Sequence, residues 1–160
     1  MNKSFFGKTL ALSAVLASVA GAGWMLANPA PAEAKPVLEV YKSPSCGCCG
    51  EWVKHMQDNG FSVKIHDSGN SQIRTQMGIS PKYGSCHTAV IDGYAVEGHT
   101  PASEVKRLLA ERPDAVGIAV PAMPIGSPGM DGEAYGGRKD PYDVLLLGKN
   151  GTHSVYQSYP

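Results

Sequence analysis

The sequence carries little charge and few aromatic residues. Charged residues make up 18% of the 160 residues and aromatic residues 8%, and 14 Lys and Arg residues balance 14 Asp and Glu residues. A chain without an excess of positive charge lacks the basic surface that attracts nucleic acids and anionic membranes. We therefore expect no nucleic-acid partner and no electrostatic attachment to a membrane.

The sequence also lacks the common signatures of several enzyme classes. No Ser, His and Asp arrangement indicates nucleophilic hydrolysis, and no pair of carboxylates indicates acid–base catalysis. No glycine-rich motif is suited to binding phosphate, and no internal repeat is present. These absences leave the cysteine and histidine residues as the main carriers of chemistry.

The first residues contain an apolar run that is too short to span a membrane as a helix. After a short basic segment, an apolar run extends from Thr9 to about Ala20, below the roughly 20 residues that a spanning helix needs. Small residues then offer Ala-x-Ala cleavage choices up to Ala34, which is typical of a secretory signal peptide. We predict that residues 1–34 are the signal peptide and that residues 35–160 form one exported domain with 12 basic and 13 acidic residues.

Strand and helix patterns alternate along the rest of the chain. Strands are predicted at 37–41, 61–66, 87–91, 94–97, 142–147 and 154–156, and helices at 46–59, 71–77 and 101–112. Asp92-Gly93 and Asn150-Gly151 predict hairpin turns. The order predicts an α/β fold around a mixed sheet. Residues 113–141 hold five prolines and six glycines, which predicts a long loop without regular elements.

Three of the four cysteines lie within four positions, at the predicted start of a helix. Thiolates form more readily there because the helix N-terminus favours negative charge. Cys46 and Cys49 have the Cys-x-x-Cys spacing of redox dithiols, whereas adjacent Cys48 and Cys49 cannot readily form a disulfide with each other. A third thiol exceeds what a dithiol needs, so the cluster indicates a metal site.

Other soft or nitrogen donors occupy suggestive positions. Cys86-His87 opens the third predicted strand, where a thioredoxin-like sheet approaches its redox helix, and His99 lies in the turn before a helix. Met123 and Met130 lie in the Pro/Gly-rich loop without a helical or strand pattern. Thiolate and thioether donors together select Cu(I), whereas thiolate and imidazole alone also suit zinc.

Four segments together resemble the periplasmic CopG copper-resistance family, which is distinct from the ribbon-helix-helix repressors of that name. They are the segment ending in Cys-Gly-Cys-Cys at 41–49, Ser-Cys-His-Thr-Ala at 85–89, Glu-Gly-His-Thr-Pro at 97–101 and the methionine loop at 123–130. The resemblance extends from Val37 to Tyr156. It implies a thioredoxin-like mixed sheet with flanking helices, joined by the Pro/Gly-rich loop and a C-terminal hairpin.

The resemblance also implies a periplasmic role in copper resistance. Copper would be bound by the thiolates of Cys46, Cys48, Cys49 and Cys86, with His87, His99, Met123 and Met130 as additional ligands. Cu(I)/Cu(II) redox exchange, and with it an oxidoreductase activity, is part of that expectation, as is a periplasmic partner for copper transfer. Cys86-His87 stands where ordinary thioredoxins place a cis-proline before the third strand, which disfavours ordinary disulfide exchange.

Two alternatives stay open at this point. A thiol–disulfide oxidoreductase would use Cys46 as the attacking thiolate and Cys49 as the resolving thiol, but would leave Cys48 and Cys86 without a role. An iron–sulfur protein could use the four cysteines as cluster ligands, although export disfavours it. The sequence does not give the number of metal ions, the oligomeric state or the resting oxidation state of the cysteines.

Overall fold

A computed structural model describes residues 36–160, and the predicted signal peptide lies outside them. The chain order of elements is β1 (Val37–Lys42), α1 (Gly47–Asp58), β2 (Ser62–His66), α2 (Ser71–Gln76), β3 (His87–Ile91), β4 (Tyr94–Glu97), α3 (Ala102–Glu111), β5 (Gly117–Ala119), β6 (Tyr142–Leu147) and β7 (His153–Tyr159). Short 3-10 turns occur at Pro81–Tyr83 and Glu133–Tyr135. None of the helices in this part of the chain has the length and apolar character needed to cross a membrane.

The strands form one seven-stranded sheet in the order β2-β1-β3-β4-β5-β6-β7. The pairs β1–β2 and β4–β5 are parallel, and the other neighbours are antiparallel. The mixed sheet with its helices confirms the predicted α/β, thioredoxin-like class. The β6–β7 pair confirms the C-terminal hairpin.

The main hydrophobic core lies between the sheet and the helices α1 and α3. Its fully buried side chains include Leu38, Val40, Trp52, Met56, Val96, Val105, Leu108, Ile118 and Val144. Burial of each large apolar side chain contributes roughly 1.5–3 kcal/mol relative to its exposure. The indole N–H of Trp52 donates to the carbonyl oxygen of Thr100 at 2.8 Å, so this buried polar group is satisfied. The core therefore fixes α1, and with it the cysteine cluster, against the sheet.

The prediction that residues 113–141 contain no regular element is wrong at β5. This strand has three residues, all buried, and pairs with β4 on one side and β6 on the other. A short central strand has no alternation of exposed and buried positions, so its sequence carries no strand signal. A Cβ atom at Gly117 would lie 1.9 Å from the carbonyl oxygen of Ala95, so this position needs glycine.

Candidate metal centre

The fold brings all four cysteines to one end of the sheet. Cys46 occupies the N-cap position of α1, and Cys48 and Cys49 lie in the first turn of that helix. Cys86 immediately precedes β3, which pairs with β1 so that Lys42 faces His87. The segment after β1 and the segment before β3 are therefore neighbours. As a result, the four cysteine sulfurs lie within 4.8 Å of one another.

The cysteines form one disulfide and two free thiols. Cys46 and Cys49 are bonded to each other, and Cys48 and Cys86 are free. The Cys48 sulfur lies 3.6 Å from that of Cys46 and 4.0 Å from that of Cys86. The Cys86 sulfur lies 3.3 Å from that of Cys49. The oxidation state that the sequence left open is thus a Cys46–Cys49 disulfide in this structure.

Two histidines extend the sulfur cluster into the interior. The Cys86 sulfur lies 3.1 Å from Nε2 of His99 and 3.4 Å from Nδ1 of His87. Both imidazoles are fully buried. Cys86 therefore belongs to two donor groups at once, one with the three other cysteines and one with the two histidines.

His99 presents an unprotonated nitrogen to the cluster. Its Nδ1 lies 2.8 Å from the carbonyl oxygen of Pro128, which can only accept, so Nδ1–H is the donor. In the neutral imidazole the Nε2 lone pair then faces Cys86. Burial lowers the pKa of His99, which favours this neutral form. A backbone carbonyl that fixes the tautomer is the usual outer partner of a metal-binding histidine.

His87 and Cys86 are also neutral groups in the absence of a metal. Burial is the main reason that the pKa of His87 falls to about 3, and its Nε2 is buried without a hydrogen-bond partner. Its ring packs 4.3 Å from that of Trp52, between centroids. Burial, followed by the charge of Cys48, raises the pKa of the Cys86 thiol to about 12. A bound metal ion would displace the Cys86 proton.

The Pro/Gly-rich loop covers the start of α1. A Cβ atom at Gly129 would lie 2.7 Å from both the carbonyl oxygen of Cys48 and the amide nitrogen of Trp52. Gly129 has a φ of +82°, which glycine adopts without steric cost. The neighbouring Pro128 carbonyl oxygen accepts the hydrogen bond from His99. The loop is therefore in direct contact with both the cysteine turn and the histidine pair.

Comparisons with known proteins define the family. The family described as "Protein of unknown function, DUF411" matches residues 83–130. Two solved structures of copper resistance protein CopG, described as form 2 and form 1, are each 44% identical to this chain, with a TM-score of 0.73. The aligned region covers 79% of this chain in both cases, 100% of the form 2 chain and 99% of the form 1 chain. This chain belongs to the CopG family. Among curated proteins, none matches the chain.

The two methionines predicted from the CopG resemblance occupy different environments. Met130 is buried, and its sulfur accepts a hydrogen bond from the hydroxyl of Tyr135 at 3.3 Å. Met123 is 47% exposed and lines a surface cavity of about 510 Å³ with Asp140 and Asp143. The structure thus brings together the four cysteines and two histidines predicted as ligands, and Met130 lies in the loop that covers them. The metal-binding roles of all eight residues stay predictions.

Sequence reasoning missed a partly buried ion pair, Arg74–Glu97, beside the segment that precedes Cys86. The Glu97 side chain is fully buried, and Arg74 lies with its Nη2 2.9 Å from Glu97 Oε1. Burial raises the pKa of Glu97, an effect that its hydrogen bonds oppose. The only sequence signal was the place of Glu97 in the CopG-like segment before His99. Arg74 gave no signal, because it lies in a short helix whose residues are all at least partly exposed.

Proposed function

We propose that this chain is a periplasmic copper-resistance protein that binds Cu(I) through the thiolates of Cys46, Cys48, Cys49 and Cys86. The observation that carries the proposal is the convergence of these four sulfurs within 4.8 Å of one another. Thiolates are soft ligands that favour Cu(I). The 44% identity to copper resistance protein CopG supports copper as the ion.

His99 and His87 complete the donor set on the buried side. The Nε2 lone pair of His99 already faces Cys86. His87 can offer either of its ring nitrogens, Nδ1 near Cys86 or Nε2, which has no hydrogen-bond partner. Because Cys86 belongs to both donor groups, its sulfur is the natural bridge between two ions. All four thiolates become available only after the Cys46–Cys49 disulfide is reduced by two electrons. The redox state of that pair therefore sets how much copper the site can hold.

Copper redox exchange would use the same two cysteines, Cys46 and Cys49. When Cys46 and Cys49 are reduced, each thiolate can give one electron to a Cu(II) ion, so that two Cu(II) ions become two Cu(I) ions and one S–S bond forms. Anaerobic addition of two equivalents of Cu(II) to the reduced protein should consume two thiols and produce Cu(I) that a Cu(I)-specific chelator detects. A Cys46→Ser variant should lose the Cys46–Cys49 disulfide as product.

The central test is an anaerobic Cu(I) titration of the reduced protein against a competing chelator, beside a Cys48→Ser variant. We expect the native protein to bind more than one equivalent and the variant to bind fewer, because Cys48 lies 3.6 Å and 4.0 Å from two of the other sulfurs. The protein with its disulfide intact is the matched control and should bind less than the reduced protein. Binding of less than one equivalent by the reduced native protein would refute the proposal.

Met130 and Met123 are proposed as additional thioether ligands. Met130 lies one residue from Gly129, which contacts Cys48, but Tyr135 occupies its sulfur in this structure. Ligation by Met130 would therefore require that this hydrogen bond break. Met130→Leu should weaken Cu(I) binding if this occurs, and Met123→Leu tests the exposed methionine in the same way. Unchanged affinity in either variant removes that residue from the ligand set.

The second candidate function is thiol–disulfide exchange with another protein, and the Cys46–Cys49 disulfide at the start of α1 favours it. In that case Cys46, which is partly exposed, would be the attacking thiol of the reduced form. Insulin reduction that survives both Cys48→Ser and Cys86→Ser would support this function over copper binding.

Export and copper transfer complete the proposal. If residues 1–34 are a signal peptide, protein recovered from the periplasm begins at Lys35, which N-terminal sequencing measures. An N-terminus at Met1 in that fraction would contradict it. A periplasmic partner that delivers or receives copper is expected because the proposed cargo is a metal ion that must enter and leave the site.

A further inference from the structure

Three polar side chains, of which Glu97 is fully buried, hold the backbone immediately before Cys86. We name Asn70, Arg74 and Glu97 the Ser85 clamp, because the side chains of all three bond to the peptide groups of Ser85. Glu97 Oε1 accepts a hydrogen bond from the Ser85 amide at 2.7 Å. Asn70 Nδ2 donates to the Ser85 carbonyl oxygen at 3.2 Å, and Arg74 Nη2 donates to the same oxygen.

The clamp is internally rigid. Arg74 Nε and Nη2 lie 3.0 Å and 2.9 Å from Glu97 Oε1, and Thr88 on the neighbouring strand donates its hydroxyl to Glu97 Oε2. Asn70 Nδ2 also lies 3.3 Å from the Thr88 hydroxyl. Hydrogen bonds to ionised partners are roughly twice as strong as those between neutral groups, and the burial of Glu97 reduces the competition from water. Both peptide groups that flank Ser85 are therefore fixed.

The position of α2 is consistent with this role. No residue of the helix is buried, so its contribution to the hydrophobic core is small. Its side-chain contacts with the sheet include those of Arg74 with Glu97 and of Asn70, the N-cap residue, with Thr88. On the opposite side, a Cβ atom at Gly98 would lie 2.7 Å from the Ser85 side chain, so glycine there lets the two segments approach closely.

From this arrangement we infer that the Ser85 clamp is a set of positioning residues for Cys86. It places the Cys86 sulfur against Cys49, Cys48 and His99 and thereby tunes the affinity for Cu(I), an inference that rests on the proposed function for its copper readout. None of the three clamp side chains is a donor to the metal. Replacement of outer residues that orient metal ligands typically costs about 10- to 100-fold in metal affinity.

The test measures Cu(I) affinity by chelator competition in Glu97→Gln, Arg74→Lys and Asn70→Ala, each made in the native chain and in a Cys86→Ser chain. We expect a loss of about tenfold or more in the native chain for Glu97→Gln, with a smaller loss for Arg74→Lys, which keeps the charge. The same substitutions should have little further effect once Cys86 is absent. Arg107→Lys is the matched control, because Arg107 pairs with Glu104 in α3 and contacts β7.

Equal losses with and without Cys86 would overturn the inference, since they would show a general structural effect. Unchanged affinity in folded variants would overturn it as well. Circular dichroism identifies variants that do not fold, and Asn70→Ala, which leaves the ion pair intact, still tests the clamp if Glu97→Gln is unfolded.

A metal-free measurement separates this inference from the proposed function. Trypsin releases Cys86 in the peptide 83–106 and the other three cysteines in the peptide 43–54. In a Cys46→Ser chain, mild oxidation should link the two peptides through Cys49 and Cys86, whose sulfurs lie 3.3 Å apart. Adding Asn70→Ala or Arg74→Lys should slow this link about tenfold, whereas Arg107→Lys should not. If the link forms at the same rate, Cys86 is not positioned by the clamp, whatever the copper result.

Discussion

The sulfur of Cys86 lies 3.3 Å from the sulfur of Cys49, although 37 residues separate the two in sequence. Cys49 is at the same time bonded to Cys46. A thiolate attacks a disulfide at one sulfur and releases the other, so Cys86 is placed to take Cys49 from Cys46. Cys49 therefore has two possible disulfide partners, Cys46 and Cys86.

We predict that the disulfide moves at high pH. The Cys86 thiolate forms a bond to Cys49 and the Cys46 thiolate leaves, so no electrons are gained or lost. Incubation of the protein with one disulfide at about pH 10, followed by acid quenching and tryptic mapping, should show a growing fraction of peptide 43–54 linked to peptide 83–106. A Cys86→Ser variant is the control. A disulfide found only within peptide 43–54 at every pH would contradict the prediction.

The reactivity of Cys86 should depend strongly on pH. Because burial and the neighbouring Cys48 raise the pKa of this thiol to about 12, its thiolate population should rise about tenfold for each pH unit between pH 8 and pH 10. Short pulses of iodoacetamide on the metal-free protein, read as alkylation of peptide 83–106, should follow this slope. A rate that levels off near pH 9 would show that the thiol has an ordinary pKa.

The metal-free protein should lose stability in mild acid because of His87. Burial lowers the pKa of this histidine to about 3, so the unfolded chain binds a proton at this position below about pH 6.5 and the folded chain does not. The free energy of unfolding should fall as the pH decreases from 6.5, by about 1 kcal/mol per pH unit from this group. Urea unfolding at pH 7, 6 and 5 measures it. His87→Gln should give a shallower dependence, and parallel curves would refute the assignment.

Gly129→Ala should loosen the loop that covers the cysteine turn. The added Cβ atom would lie 2.7 Å from the backbone of Cys48 and Trp52, and the φ of +82° is unfavourable for alanine. We expect a loss of about 1–3 kcal/mol in the free energy of unfolding. Gly132→Ala is the matched control in the same loop, because its Cβ atom would have no neighbour within 4 Å and its φ is −68°. Equal losses in both variants would contradict the close contact.

Local chemistry explains what the sequence predicted well. The bounds of β3 and β4 agree with the structure because Asp92-Gly93 marks a two-residue turn, and both residues have positive φ, 49° and 82°. Met56 lies seven residues after Cys49 in α1, a spacing that puts both on one face of the helix, and both are fully buried. The cysteine cluster was visible because three of its members are neighbours in sequence.

Features that depend on distant parts of the chain were not predictable in the same way. β5 is a strand because β4 and β6 bond to it on both sides, and nothing in its three residues shows this. Arg74 and Glu97 are 23 residues apart, in elements whose own patterns give no sign of the pairing. The Cys-x-x-Cys spacing allowed the Cys46–Cys49 disulfide without requiring it, because a metal site would use the same spacing.

The site has an inner and an outer end. Cys49, His87 and His99 are fully buried, whereas Cys46, Cys48 and Cys86 remain partly open to solvent. In the proposed copper site, an ion arriving from solvent would meet the partly open sulfurs before the buried imidazoles. Ions would therefore load in sequence and leave in the reverse order, so the ion deepest in the site would be the slowest to exchange.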